Sequence, residues 1–123
     1  MQPTVLSIIA AWSLLLLGVG HIAFGFTKFK EPLLEAVQAG FVGQFKKPEI
    51  RRTAFWFIIF GVPLMLAGHA TIHAIALGDL ALIRIIGFYV SVASLVGISA
   101  FPKSPFPASF VVAIMLLAAG YGL

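Results

Sequence analysis

The sequence contains no cysteine and very few charged side chains. Of 123 residues, eight are Lys or Arg and four are Asp or Glu, whereas 61% are hydrophobic. The absence of cysteine excludes disulfides, thiolate metal sites, haem attachment through a Cys-x-x-Cys-His motif and dithiol redox chemistry. The scarcity of charge, with a mean hydropathy of +1.10, excludes a soluble domain of this size, whose surface would need more polar cover. We therefore expect a membrane protein.

The few charges are concentrated in one segment. Nine of the twelve lie between Lys28 and Arg52, where interleaved acidic residues reduce the net charge of the segment to +3. The net charge of +4 therefore does not form a basic face, and no helix-turn-helix, zinc-finger or RNA-binding motif accompanies it. We expect no nucleic-acid partner.

Four apolar runs predict four transmembrane helices in a single domain, residues 1–123. The expected spans are residues 4–26, 53–77, 80–100 and 107–123. The first three reach the roughly 20 residues that cross a bilayer, and the fourth is shorter. The first run lacks a preceding positive charge and is longer than a signal-peptide core, so we interpret it as a span. Pro63 predicts a kink in the second span.

The segment between the first two spans, residues 31–45, predicts a short amphipathic helix on the membrane surface. Glu31-Pro32 is typical of a helix start, and apolar residues then recur at helical spacing. Gly40 weakens any helix beyond Ala39. The alternative is that the segment is a loop with incidental apolar residues.

The distribution of lysine and arginine predicts the orientation. Seven of the eight lie in the first and third connections between spans. Because basic residues are retained on the cytoplasmic side, both termini are expected outside and the amphipathic segment inside.

Polar residues within the spans fall into two layers of depth. The outer layer contains His69, His73, Arg84 and Tyr121, with Asp79 at the outer rim. His21 lies in the inner layer with Ser94 and Ser109, about 15 Å from the depth of His69 at about 1.5 Å per residue. This separation is too large for the three histidines to share one metal ion.

His69 and His73 are four residues apart and project from one helical face. That spacing suits two metal ligands, but no Glu follows His69 as in a zinc protease, and no third ligand is near in depth. Two histidines one turn apart also cannot be opposed axial ligands of a haem. We expect interhelical hydrogen bonding here, with no metal and no cofactor.

Arg84 is the most informative of these residues, because a cation within a span costs about 2.5 kcal/mol or more. Arg84 has a structural role if it extends to the interface or pairs with Asp79. If it instead faces the bundle, we expect it to line a ligand-binding pocket with apolar walls, for an amphipathic molecule bearing a carbonyl, phenol or carboxylate. Its residues would be His69, His73, Arg84, Tyr121 and Asp79.

His21 marks a second polar site. It lies between glycines in the run from Gly18 to Gly25, which lets another backbone come close, and its imidazole can hydrogen-bond across helices. Packing alone is the alternative explanation.

The run Gly20-His-Ile-Ala-Phe-Gly25, the surface segment Lys28 to Ala39 and the three further spans resemble the small DoxX-like bacterial membrane proteins. The resemblance covers nearly the whole chain. It implies a compact all-α, four-helix bundle in a bacterial inner (cytoplasmic) membrane. Some members belong to quinol-oxidising or thiol-linked membrane complexes, and the absence of cysteine disagrees with the thiol-linked role.

Two classes of function fit this pattern. The first is binding of a lipophilic small molecule (a quinone, lipid or terpenoid), or service as an accessory subunit with a homo-oligomer or membrane-complex partner. The alternative is a membrane enzyme in which His69 or His73 acts as general acid or base and Arg84 stabilises negative charge. Transport is disfavoured because no inverted repeat or pair of broken helices is visible.

Overall fold

The computed structural model describes residues 3–123, which form an all-α fold of five helices without strands. The helices are α1 (Val5–Lys28), α2 (Lys30–Gln38), α3 (Glu49–Leu77), α4 (Leu80–Ala100) and α5 (Phe106–Gly120). Three of them, α1, α3 and α4, are long and apolar enough to cross a membrane. The apolar helix α5 has 15 residues and is shorter.

Local sequence signals account for the ends of the long helices. The Thr4 hydroxyl caps α1 by accepting a hydrogen bond from the Ser7 N–H (3.1 Å). Gly78, with φ 69°, ends α3 in the left-handed region that favours glycine. The next residue, Asp79, caps α4 by accepting from the Leu82 N–H (3.0 Å). This two-residue connection makes α3 and α4 antiparallel neighbours, and α3 continues as one helix through Pro63.

Helices α1 and α3 pack closely through glycines. A Cβ placed on Gly18 of α1 would lie 2.6 Å from the Met65 backbone nitrogen and 3.0 Å from the Gly61 carbonyl oxygen of α3. On the other side of the interface, Gly68 of α3 lies against the backbone of Leu15. The small residues therefore bring the two backbones into contact, as is common between membrane helices.

The two hairpins, α1–α3 and α4–α5, meet at the end of the molecule where α1 begins and α5 ends. The buried cluster there consists of Ala10, Ala11, Leu14, Ala74, Ile75, Ile83, Val112, Leu116 and Ala119. It draws residues from α1, α3, α4 and α5, so these four helices share one core. Large apolar side chains such as Leu16, Leu66 and Val96 are exposed on the outer faces, where lipid is the expected surrounding.

The helix in the segment between α1 and α3 is shorter than residues 31–45. Helix α2 ends at Gln38, and Gly40 and Phe41 then take φ values of 109° and 67°. Turns follow up to the start of α3. Arg51 of α3 holds the segment through an ion pair with Glu35 (3.8 Å) and a hydrogen bond to the Gln44 side chain (3.4 Å).

Candidate functional site

Arg84 of α4 lies against the carboxyl end of α5. Its Nη1 donates a hydrogen bond to the Gly120 carbonyl oxygen at 2.7 Å. A side chain on Gly120 would collide with Arg84, so the glycine allows this approach. The last carbonyls of a helix carry partial negative charge, which makes the guanidinium a favourable cap for α5.

Tyr121 completes this arrangement. The Arg84 guanidinium carbon lies 5.2 Å from the centre of the Tyr121 ring, within cation–π distance. Tyr121 is 73% exposed, whereas Arg84 is half-buried. A guanidinium has five N–H donors. Within residues 3–123, the hydrogen bond to Gly120 is the one protein contact that uses a donor of Arg84. The site therefore presents hydrogen-bond donors beside an exposed aromatic ring.

His69 and His73 lie elsewhere on the surface. Both are exposed on the outward side of α3, and the one histidine side-chain hydrogen bond among the described residues belongs to His21. Helices α3 and α5 do not pack against each other in the described part of the chain. The structure thus brings Arg84 and Tyr121 together and gives the two histidines no interhelical hydrogen bond.

Asp79 has a structural role as the cap of α4, described above. The ion pairs among residues 3–123 are Arg51 with Glu35 and Arg52 with Glu49. An Arg84–Asp79 pair is therefore not formed, and the Gly120 carbonyl takes the place of the carboxylate.

His21 links α1 to α3. Its Nε2 donates a hydrogen bond to the Phe57 carbonyl oxygen at 2.7 Å, which requires the proton on Nε2 because a carbonyl only accepts. The imidazole also stacks on the Phe57 ring, with centroids 4.0 Å apart and an angle of 16°. Both contacts are interhelical, and they account for this histidine by packing.

Ser94 and Ser109 form the corresponding link between α4 and α5. Their hydroxyl oxygens are 2.7 Å apart. Depth along the spans placed these two serines in one layer with His21, and each pair joins the helices of one hairpin.

Two open grooves lie at the other end of the molecule, around the charged segment. The first, about 460 Å³, is lined by Phe45, Lys46, Lys47, Arg52, Phe55 and Trp56. The second, about 200 Å³, is lined by Phe26, Lys30, Leu33, Leu34 and Val37. Both combine aromatic or aliphatic walls with basic side chains.

A family model matches residues 6–121, nearly the whole chain. The chain belongs to DUF6463, a family of unknown function. Neither the curated proteins nor the solved structures provide a match. The resemblance to DoxX-like proteins therefore stays a prediction, and function has to be argued from this chain's own residues.

His69 and His73 do not belong to a group of three metal-ligating side chains in the part of the chain that the structure describes. Within residues 3–123, no three His, Cys, Asp or Glu side chains gather closely enough to hold a metal ion. His69 and His73 would need ligands from another molecule.

Sequence reasoning missed the first groove. It treated Lys46, Lys47 and Arg52 only as an orientation signal. The available signal was the alternation of these cations with Phe45 and Trp56, which is typical of a membrane interface. The groove itself exists only because the turn that precedes α3 folds against that helix.

Proposed function

We propose that this chain is a four-span protein of a bacterial inner (cytoplasmic) membrane, with both termini outside, that binds a lipophilic small molecule. The ligand class is a quinone, lipid or terpenoid with an oxygen-bearing head group. The observation that carries the proposal is the Arg84 guanidinium beside Tyr121, with N–H donors that no described residue uses.

The fourth span is supported by the way α5 follows α4. Contacts between them run from Gly97 with Phe106 at one end to Arg84 with Gly120 at the other. Helix α5 alone covers about 22 Å at 1.5 Å per residue. The Pro-rich turn before it and a locally thinner bilayer provide for the remaining thickness.

A ligand oxygen at Arg84 would reduce the cost of placing a cation near the membrane. Charge-assisted hydrogen bonds from a guanidinium to an oxygen are stronger than neutral ones. The exposed Tyr121 ring offers a flat surface for a ring or prenyl group, and the outward apolar faces of the helices accommodate the rest of the ligand. Asp79, the cap of α4, lies at the same end of the molecule, five residues before Arg84.

The test is a comparison of co-purifying small molecules. The full chain is purified from membranes, extracted with organic solvent and analysed by mass spectrometry. Arg84→Gln and Tyr121→Ala are expected to lose the bound species, because the second variant removes the ring. Lys103→Gln and Tyr89→Ala are the matched controls, because Tyr89 is 69% exposed, close to the 73% of Tyr121. An unchanged species in Arg84→Gln would contradict the proposal.

A second candidate, an accessory subunit, rests on the exposed imidazoles of His69 and His73 on α3. Polar side chains in a span normally face protein, so a partner helix or a second copy would cover them. His69→Ala/His73→Ala is then expected to lower the mass of the native complex, while Tyr89→Phe leaves it unchanged. An unchanged mass in the histidine variant would exclude this role.

The enzyme alternative receives less support. It requires His69 or His73 beside Arg84, and no hydrogen bond or ion pair among residues 3–123 joins these side chains.

A further inference from the structure

The first groove has a continuous aromatic wall. The Phe45 ring, in the turn before α3, lies 5.6 Å from the Phe55 ring, and Phe55 lies 5.4 Å from Trp56. These contacts hold the turn against the first part of α3. Lys46 and Lys47 follow Phe45 directly, so both reach the same groove.

The groove is positively charged. Lys46, Lys47 and Arg52 line it, and no acidic side chain does. Glu49 contacts one of these cations, Arg52, at 3.8 Å, and the Glu49 and Arg52 side chains are 82% and 56% exposed. An exposed pair of this kind is weak, so Arg52 remains available to another anion. Neither lysine takes part in an ion pair within the described residues.

The groove lies at the charged end of α3, where the boundary between head groups and hydrocarbon is expected. Arg52 immediately precedes the uncharged run of α3, and Trp56 lies about one turn farther along it and is 63% exposed. Tryptophan is enriched at this depth, and basic residues beside a span attract anionic lipids. We therefore expect the cations at the level of lipid phosphates and the indole at the level of the glycerol and first methylenes.

We propose that this groove binds the head group of an anionic phospholipid. Lys46, Lys47 and Arg52 surround the phosphate, and Trp56 contacts the glycerol and the upper acyl chains. The site is at the opposite end from Arg84 and does not depend on the proposed function. If anionic lipid is attracted only by the general charge of the surface, its affinity depends on the number of cations. If it binds in the groove, its affinity depends on which cations are present.

Trp56 is itself a suitable reporter. The chain has two tryptophans, so Trp12→Phe leaves Trp56 as the only indole. The full chain is reconstituted in phosphatidylcholine vesicles with increasing brominated phosphatidylglycerol, which quenches adjacent tryptophan. Since one cation near an anionic surface contributes about fivefold in affinity, we expect at least about a fivefold preference for phosphatidylglycerol over phosphatidylcholine. Equal binding of the two lipids would overturn the proposal.

Two double variants separate the groove from general attraction. Lys46→Gln/Lys47→Gln removes two groove cations, and Lys30→Gln/Lys103→Gln removes two cations from the same side of the membrane outside it. Both pairs remove the same number of cations from the membrane surface, so general attraction falls equally in the two variants. The first pair is therefore expected to reduce the preference by a clearly larger factor than the second. An equal loss in both would overturn the proposal. Circular dichroism establishes that each variant is folded, and Arg52→Gln provides a second groove variant.

A final arm distinguishes a lipid head group from free phosphate. The quenching is repeated with inorganic phosphate and with sodium chloride at equal ionic strength. An unchanged preference supports the lipid, whereas selective loss with phosphate would assign the groove to free phosphate and overturn the proposal.

Discussion

Replacing Gly18 by alanine is expected to destabilise the packing of α1 against α3. The loss of free energy should exceed the gain from the higher helix propensity of alanine. The added methyl would lie 2.6 Å from the Met65 backbone nitrogen and 2.7 Å from its Cγ, while ordinary contact begins near 3.4 Å. Because the nearest atom is backbone, rotating a side chain cannot relieve the collision. The helices must separate by about 1 Å, a gap that forfeits a quarter to a half of each dispersion contact.

The magnitude comes from comparison with Gly20, two residues away on the same helix. A Cβ at Gly20 meets no atom within 4 Å. Both substitutions gain about 1 kcal/mol of helix propensity, which cancels in the difference. The remaining overpacking term is typically about 1–3 kcal/mol. The backbone collision places Gly18→Ala toward the upper end, about 2–3 kcal/mol less stable than Gly20→Ala.

Unfolding by sodium dodecyl sulfate in mixed micelles, followed by far-ultraviolet circular dichroism, measures this difference. Adding Met65→Ala to Gly18→Ala removes the contact with Cγ but leaves the contact with the nitrogen, so we expect only partial recovery. Identical unfolding midpoints for Gly18→Ala and Gly20→Ala would refute the reasoning, because the close approach of α1 and α3 would then contribute nothing.

Three further predictions concern the polar links and the topology. His21→Phe keeps a ring for stacking but loses the interhelical hydrogen bond, so we expect about 0.6–1.7 kcal/mol of destabilisation in the same unfolding assay, against no change for the exposed His73→Phe. Ser94→Ala and Ser109→Ala should show a coupling of about 0.6 kcal/mol in a double-mutant cycle; strictly additive effects would exclude their hydrogen bond. A reporter inserted within residues 39–48 should be cytoplasmic, and an external signal would reverse the proposed orientation.

Helix positions were largely predictable because uncharged runs and caps are local features. The predicted third span, residues 80–100, coincides with α4, which begins after the Asp79 cap. The predicted second span began at residue 53, whereas α3 begins at Glu49. The first turn of α3 is charged, which is compatible with a helix. An apolar run does not include that turn, so the run predicts a later start.

The candidate site was only partly predictable, because depth along a helix does not specify direction around it. Depth placed Arg84 near Tyr121, and an antiparallel α4–α5 pair brings them into contact. It also placed His69 and His73 in the same layer. The packed side of α3 is occupied by Gly68, Thr71, Ala74 and Ile75, so both histidines face outward.

The sequence by itself determined the class of fold and the apolar character of the helices, three of which are long and apolar enough to cross a membrane. In lipid the backbone polar groups must be satisfied within each segment, which favours helices. Only the tertiary structure decided which side of each helix is covered and how the turn before α3 forms a basic groove. A helix that is apolar all round does not mark its packing face, because that face is set by where small residues on two helices coincide.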